Sequence, residues 1–198
     1  MTVNISINGF GRIGRTVLRT ILLSKRDDLR VVAVNDPADA ETLAHLFEYD
    51  SLHGPFPGSV ALNGSQLQVN GHSIRLTGAT DPETLDWSDV DVVMECSGHF
   101  THKEQALRHL KNGAGKVLLS APAKDQVKTV VYGVNQQSIT PSDRLISKAS
   151  CTTNCLVPVA QVLDNAFSIT RGMMTTVHCY TRSQSPHDGP HADLYRAR

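Results

Sequence analysis

The chain has 198 residues, of which 40% are apolar and 19% charged. That composition belongs to a globular protein with length for one domain and part of a second, and it excludes a disordered or fibrous chain. Nineteen Lys and Arg balance nineteen Asp and Glu, so the basic excess that nucleic acid or an anionic membrane asks of its partner is missing, and no apolar run nears the ~18 residues of a membrane span.

Val3 to Ile7 alternates and is rich in β-branched residues, which predicts a strand. Asn8 to Gly14 follows, and apolar residues then recur at Ile13, Val17, Leu18, Ile21 and Leu22, a helix with that face buried. Leu29 to Val34 reads as a second strand and Asp39 to Glu48 as a second helix. Pro55 to Leu76 is broken by Gly and Asn and reads as antiparallel hairpins inserted between the halves of a sheet. Strands are then expected at 90–96, 117–120, 129–131 and 144–147, with a helix at 103–111. Cys151 to Phe167 reads as a long helix and Gly172 to Tyr180 as a strand that begins something new. The βαβ alternation predicts an α/β fold, a Rossmann-type doubly wound sheet over 1–150, followed by the start of an α+β catalytic domain over 151–198.

The N-terminus lacks the charged start and apolar core of a secretory signal, and four Cys in a chain this long are not a disulfide framework. A reducing, cytoplasmic setting is the expectation.

Gly9-x-Gly11-x-x-Gly14 stands after a strand and opens an amphipathic helix, the context in which that spacing cradles a pyrophosphate. Gly9 allows the tight turn, Gly11 the close approach of a phosphate, and Gly14 the packing of helix on sheet. Asp36 lies 22 residues beyond Gly14, at the end of the second strand. A carboxylate there accepts from a ribose diol and repels a 2′-phosphate, which favours NAD over NADP. The other reading is a Gly-rich turn with an incidental Asp.

Ser150-Cys151-Thr152-Thr153-Asn154-Cys155 puts a Cys at a helix start, where backbone N–H groups favour a thiolate. The flanking hydroxyls of Ser150 and Thr152 suit a phosphate, and a buried structural Cys is the alternative. Cys96, Cys155 and Cys179 are read as packing, and no ligands stand at metal spacing. His178 closes an apolar run and reads as a base for Cys151 or as a satisfied core His. The remaining His residues, His109 among them, are expected on the surface or in loops.

These residues carry a family resemblance. Ile7-Asn8-Gly9-Phe10-Gly11-Arg12-Ile13-Gly14-Arg15, Val34-Asn35-Asp36-Pro37, Tyr49-Asp50-Ser51-x-His53-Gly54, Tyr132-Gly133-Val134-Asn135, Ala149-Ser150-Cys151-Thr152-Thr153-Asn154-Cys155 and Thr176-Val177-His178-x-Tyr180-Thr181 resemble phosphorylating glyceraldehyde-3-phosphate dehydrogenase along essentially the whole chain. The resemblance implies oxidation of glyceraldehyde 3-phosphate with NAD and inorganic phosphate to 1,3-bisphosphoglycerate, in glycolysis or gluconeogenesis. It implies Cys151 as nucleophile and His178 as its base. It places Gly9, Gly11, Arg12, Ile13, Gly14, Asp36, Ser97, Gly98 and Ser120 at the cofactor, and Ser150, Cys151, Thr152 and Thr181 at the substrate or phosphate. Asp36-Pro37 with Pro190 is similar to the NAD-dependent members, and a cytoplasmic homotetramer is the family's assembly. Erythrose-4-phosphate dehydrogenase is the close alternative; a truncated, non-catalytic NAD-binding module is the other.

Departures from the family pattern are Lys148 for Asn, Thr80 for an Arg before Asp81-Pro82, and Leu194-Tyr195-Arg196-Ala197-Arg198 for Leu-Arg-Arg-Ala-Arg. The first two are expected to weaken cofactor contacts, and the third leaves the subunit geometry open. The family's catalytic domain runs on past the equivalent of Arg198, so a shortened sequence with weak activity and a tendency to aggregate is the expectation.

Overall fold

Short aliphatic strands buried on both faces build the parallel centre of the computed structural model, which describes residues 2–180. β1 (Val3–Asn8) leads through the Gly-rich turn into α1 (Arg12–Leu23), and β2 (Leu29–Asn35) into α2 (Ala40–Glu48). Asp39 caps α2 by accepting from Thr42 N at 2.8 Å. β3 (Tyr49–Asp50) and β4 (Gly54–Pro55) form a small antiparallel pair. β5 (Val60–Asn63), β6 (Gln66–Val69) and β7 (His72–Thr77) make a meander, and β8 (Val92–Glu95) follows. Then come α3 (Lys103–Ala106), α4 (Arg108–Lys111), β9 (Lys116–Leu119), β10 (Lys128–Thr129), β11 (Leu145–Ser147) and α5 (Cys151–Phe167).

Among the described residues, nine strands share one sheet in the order β10-β11-β9-β8-β1-β2-β7-β6-β5. Taken alone, the six strands β7-β2-β1-β8-β9-β11 run parallel and follow the 3-2-1-4-5-6 order of doubly wound dinucleotide folds. Ile5, Ile7, Val31, Val34 and Leu18 of α1 fill one apolar cluster with Leu43 and Phe47 of α2; Ala33, Val93, Leu85, Trp87 and Val90 fill a second. The expected Rossmann-type sheet is therefore present.

The structure refines the sequence reading of these elements at three points. The antiparallel hairpins expected between the halves of the sheet are β5 to β7, and they are part of it: β7 pairs in parallel with β2, Ala33 opposite Arg75, so the meander continues the sheet to its edge. Long-range pairing of this kind leaves no local signal. The helix expected at 103–111 breaks at Leu107 into α3 and α4. Leu110 N bonds to Leu107 O, three residues back, so the second piece turns on a tighter step. The segment 172–180 is not a strand: its run of Met, Thr and Val has no described strand to pair with, and a single strand has no ladder to hold it.

The chain divides into two compact units, Met1–Val162 and Leu163–Arg198. The sheet belongs to the first. In the second, α5 ends at Phe167, Ser168 turns left-handed (φ +57°), and Asp164 closes the helix end by accepting Ser168 N on its carbonyl and Ile169 N on its carboxylate.

Candidate active site

Parallel strands bring their carboxyl ends to one edge, and a ligand crevice opens where the strand order reverses, here between β1 and β8. Asn8 and Glu95 are partners at that edge. Gly9 follows with φ +93°, and a Cβ there would overlap the backbone of Ser97. A Cβ on Gly14 would overlap the Gly9 carbonyl oxygen and press Ile7 at 3.0 Å. Those two glycines answer to the protein's own packing. Gly11 does not: it has an ordinary extended backbone and nothing within 4 Å of where its Cβ would stand. Its open side, beside a helix start with no side-chain cap and no acidic residue in its first turn, leaves room and unspent N–H groups for an anion.

Asp36 is fixed at the end of β2 by two backbone donors, Phe10 N at 2.8 Å on Oδ2 and Ala38 N at 3.0 Å on Oδ1. The first bond ties the carboxylate to the Gly-rich turn itself. A diphosphate at Gly11 and a ribose diol at Asp36 are what this arrangement fits. Arg12, the first residue of α1, reaches Asp50 of β3 at 2.6 Å, and its own side chain remains half exposed. Asp50 is enclosed and also accepts from His53 N, Leu52 N and the His53 ring. The His53 backbone N–H first, then Leu52 N–H and the Arg12 guanidinium, hold its carboxyl far below the usual carboxylate range. Ile13 is 49% exposed, contrary to its expected place on the buried face of α1, because the buried stripe runs through Gly14 and Leu18 instead.

Beyond β8, Ser97 donates both N–H and hydroxyl to Glu95 Oε1, and Gly98 turns with φ +75°. Ser120, beyond β9, bonds its N–H to Glu95 O at 3.0 Å and its side chain to the Cys96 thiol. Burial pushes that thiol up to about 11, with Ser120 opposing and Glu95 assisting. Cys96 is therefore a protonated packing group at neutral pH, as the sequence reading has it.

The nucleophile candidate stands after β11, on the same edge. Ser150 caps α5: its Oγ accepts Thr153 N at 3.0 Å and lies 2.8 Å from Thr153 Oγ1. Cys151 is the first helical residue and is exposed, and Thr152 beside it is half-buried. The turn before the helix is strained. Ala149, a buried non-glycine, has φ +60°. Asn154 straddles it, donating Nδ2 to Lys148 O at 2.6 Å and to Ser150 O at 2.9 Å. Lys148 enters the turn through its backbone, with N–H on Leu119 O at 2.9 Å. No disulfide joins the four cysteines.

Residues 3–103 match the family model described as glyceraldehyde 3-phosphate dehydrogenase, NAD binding domain, and residues 150–198 match the C-terminal domain model of the same family. The chain belongs to the glyceraldehyde 3-phosphate dehydrogenase family. All of it aligns with the glyceraldehyde-3-phosphate dehydrogenase of Pseudomonas aeruginosa at 53% identity, with that of Cereibacter sphaeroides at 52%, and with that of Geobacillus stearothermophilus at 54%. It spans about 60% of the length of each. The Gly9 to Gly14 turn and Asp36 fall inside the matched 3–103 segment, and Cys151 is the second residue of the 150–198 match.

His178 lies in the second unit, exposed, with Nδ1 2.6 Å from Cys179 O. A carbonyl only accepts, so the ring's Nδ1 carries the proton and, in the neutral ring, Nε2 is the basic nitrogen. Thr181, Pro190 and the 194–198 motif lie outside the described residues. Sequence reasoning missed Asp50 as the holder of Arg12, Asn154 as the clamp on the Cys151 turn, and a buried Glu95–His109 contact. His109 is fully buried, against the expectation of surface placement, because Trp87 and Glu95 both bond its ring. One signal was available: Glu95 is a lone charge inside an apolar strand, and such a charge needs a buried partner. Among the described residues no helix is long and apolar enough to cross a membrane.

Proposed function

We propose that this chain carries the dinucleotide site and the nucleophile of a phosphorylating glyceraldehyde-3-phosphate dehydrogenase: NAD as cofactor, glyceraldehyde 3-phosphate and inorganic phosphate as substrates, 1,3-bisphosphoglycerate as product. The observation that supports it most is the placing of an exposed helix-start cysteine on the edge of the sheet that also carries Gly11 and Asp36. In this reading residues 1–150 bind NAD and 151–198 open the catalytic domain. Gly9 to Gly14 and Arg12 hold the diphosphate, Asp36 the ribose, and Ser97, Gly98 and Ser120 face the crevice at β8 and β9.

His178 Nε2 takes the thiol proton of Cys151, and the thiolate, favoured by the N–H groups of α5, adds to the aldehyde carbon. The new oxyanion is stabilised by backbone N–H at the helix start and takes the Nε2 proton from the His178 ring, which gives the hemithioacetal hydroxyl and returns the ring to its neutral, basic form. When bound, NAD supplies the two-electron acceptor that turns the hemithioacetal carbon into a thioester. His178 accepts the hydroxyl proton lost in that change. A phosphate oxygen then attacks the thioester carbonyl, Cys151 leaves as thiolate, and the acyl phosphate is released. Ser150, Thr152 and Thr181 are the phosphate ligands of this scheme. Glycolysis in the cytoplasm and a homotetramer complete the proposal. His178-x-Tyr180-Thr181 favours the triose over erythrose 4-phosphate.

The test joins binding to thiol chemistry. Calorimetry with NAD is expected to show one site per chain, and iodoacetamide to modify Cys151 first among the four cysteines. Reduction of NAD is expected with the triose phosphate ahead of erythrose 4-phosphate and to vanish in Cys151→Ser. Equal, slow modification of all four thiols, with no heat from NAD, refutes the proposal.

A further inference from the structure

Beneath the Gly-rich turn runs a buried polar chain that the reaction above leaves unused. Glu95 is 3% exposed and His109 fully enclosed. Trp87 Nε1 lies 3.0 Å from His109 Nδ1, and His109 Nε2 lies 3.0 Å from Glu95 Oε2. Asn8 Nδ2 meets the same oxygen at 2.5 Å, while Ser97 N meets Oε1 at 2.8 Å together with the Ser97 hydroxyl. Asn8 Oδ1 in turn accepts from Asn35 Nδ2 at 2.8 Å.

The proton positions follow from what each group is able to do. An indole N–H donates and never accepts, so His109 Nδ1 presents a lone pair to Trp87. The ring's proton is then on Nε2, aimed at Glu95. Every group around Glu95 is a donor: the Asn8 amide, His109 Nε2–H, and the N–H and O–H of Ser97. Among the described residues only His109 stands within ion-pair distance of this carboxylate, and protonating its Nδ1 would set a second donor against the indole. Glu95 is thus a buried anion held by neutral donors, a state that requires all of them to be in place.

We propose that Glu95 is a positioning residue for dinucleotide binding, and that Trp87 keeps its inner donor, His109, in the one tautomer that serves it. Asn8 immediately precedes Gly9, and Ser97 backbone occupies the place a Gly9 side chain would need. By gripping both, Glu95 sets the end of β1 against the turn after β8 on the two sides of the cradle. The inference rests on the reading of Gly9 to Gly14 as that cradle. Simple filling of space explains the burial of Trp87 and His109, but it makes no demand on which ring nitrogen carries the proton.

Nitrogen NMR on the unaltered full chain tests the first half. His109 is expected neutral and protonated at Nε2, and Trp87, the only tryptophan in the sequence, to give one indole N–H that exchanges slowly with solvent. A charged ring, or a proton on Nδ1, overturns the relay. Calorimetric titration with NAD tests the second half. His109→Leu, which leaves a buried anion short of a donor, is expected to weaken binding at least about tenfold. His109→Gln keeps an N–H toward Glu95 and is expected to recover most of it. Equal affinities in the three proteins overturn the positioning role while leaving the cradle standing. Failure of the unaltered chain to bind NAD overturns the cradle and the inference with it. Should His109→Leu fail to fold, Trp87→Phe, which frees the His109 tautomer, is titrated in its place: weaker NAD binding upholds the positioning role and unchanged affinity overturns it.

Discussion

Removing the Asn154 side chain should disarm Cys151 without touching it. The turn that presents the thiol contains Ala149 at φ +60°, a conformation that works against a non-glycine residue by about 1–2 kcal/mol. Two hydrogen bonds from Asn154 Nδ2, to Lys148 O and Ser150 O, close over it, and at about 1 kcal/mol net for each they roughly offset that strain. In Asn154→Ala the bond of Ala149 N to Ser147 Oγ remains but the two bonds that offset the strain are gone, so the left-handed turn is expected to be disfavoured by up to about 1–2 kcal/mol, a population ratio of about five to thirty. Cys151 then spends most of its time away from the N–H groups of α5, and its thiolate loses their support.

Alkylation followed by peptide mapping reads this directly, with Cys155 and Cys179 as exposed internal references. The rate at Cys151 is expected to fall about five- to thirtyfold, matching that ratio, while the references hold. Ala149→Gly offers the counter-test. Glycine enters the left-handed region freely, so adding it to Asn154→Ala should restore much of the lost rate. An unchanged Cys151 rate in Asn154→Ala, or a loss that Ala149→Gly does not soften, refutes the clamp.

Cys96 carries a pH signature. Burial raises its folded value from 9.0 to about 11, so the stability tied to the protonated thiol is whole below pH 9 and is lost as pH rises through 11, to a limit of about 2–3 kcal/mol. Urea unfolding between pH 8 and 11 should show this decline in the parent and a shallower one in Cys96→Ala, whereas parallel curves would contradict it. Asp36→Asn keeps an acceptor for one backbone donor and removes the charge proposed to face the ribose. NAD affinity should drop about 10- to 100-fold and discrimination against NADP should narrow; an unaltered ratio of the two dissociation constants, measured by calorimetry, counts against the role given to Asp36.

What the sequence made legible is what short-range periodicity encodes. β1, α1 and β2 stand where their apolar spacing put them, though Ile13 of α1 is exposed, and α5 spans Cys151–Phe167 as its pattern predicts. The Gly9 to Gly14 turn and Asp36 were readable for a related reason: within one βαβ unit, distance along the chain fixes distance in space. Contacts between units of the pattern were not readable. Arg12 meets Asp50 across 38 residues, and Trp87 meets His109 across 22, with no repeat to announce either. The helix break at Leu107 was equally silent, since the residues on both sides of it are helical and no Gly or Pro marks it. The 172–180 segment failed in the opposite sense: β propensity is a fit to a pleated neighbour, and no described strand offers one.

The same division explains where the chemistry sits. Along β1, β2, β8 and β11 most interior positions are aliphatic, and the last residues at the carboxyl edge are Asn8, Asn35, Glu95 and Ser147, each buried. A buried polar group must be bonded, and these four find their partners in neighbouring strands and in the loops that leave the sheet: Asn35 at Ala79, Glu95 at Ser97, Ser147 at Ala121 and Ala149. Aliphatic residues place a strand within the sheet but leave the direction of the departing chain open. The terminal polar residue sets that direction, because a wrong one leaves its own side chain unsatisfied. Loops aimed in this way hold Gly9, Ser97 and Cys151 at one edge, which is why Gly9, Gly11, Arg12, Asp36, Ser97, Gly98, Ser150 and Cys151 stand one to four positions beyond a buried polar strand end rather than within the strands themselves.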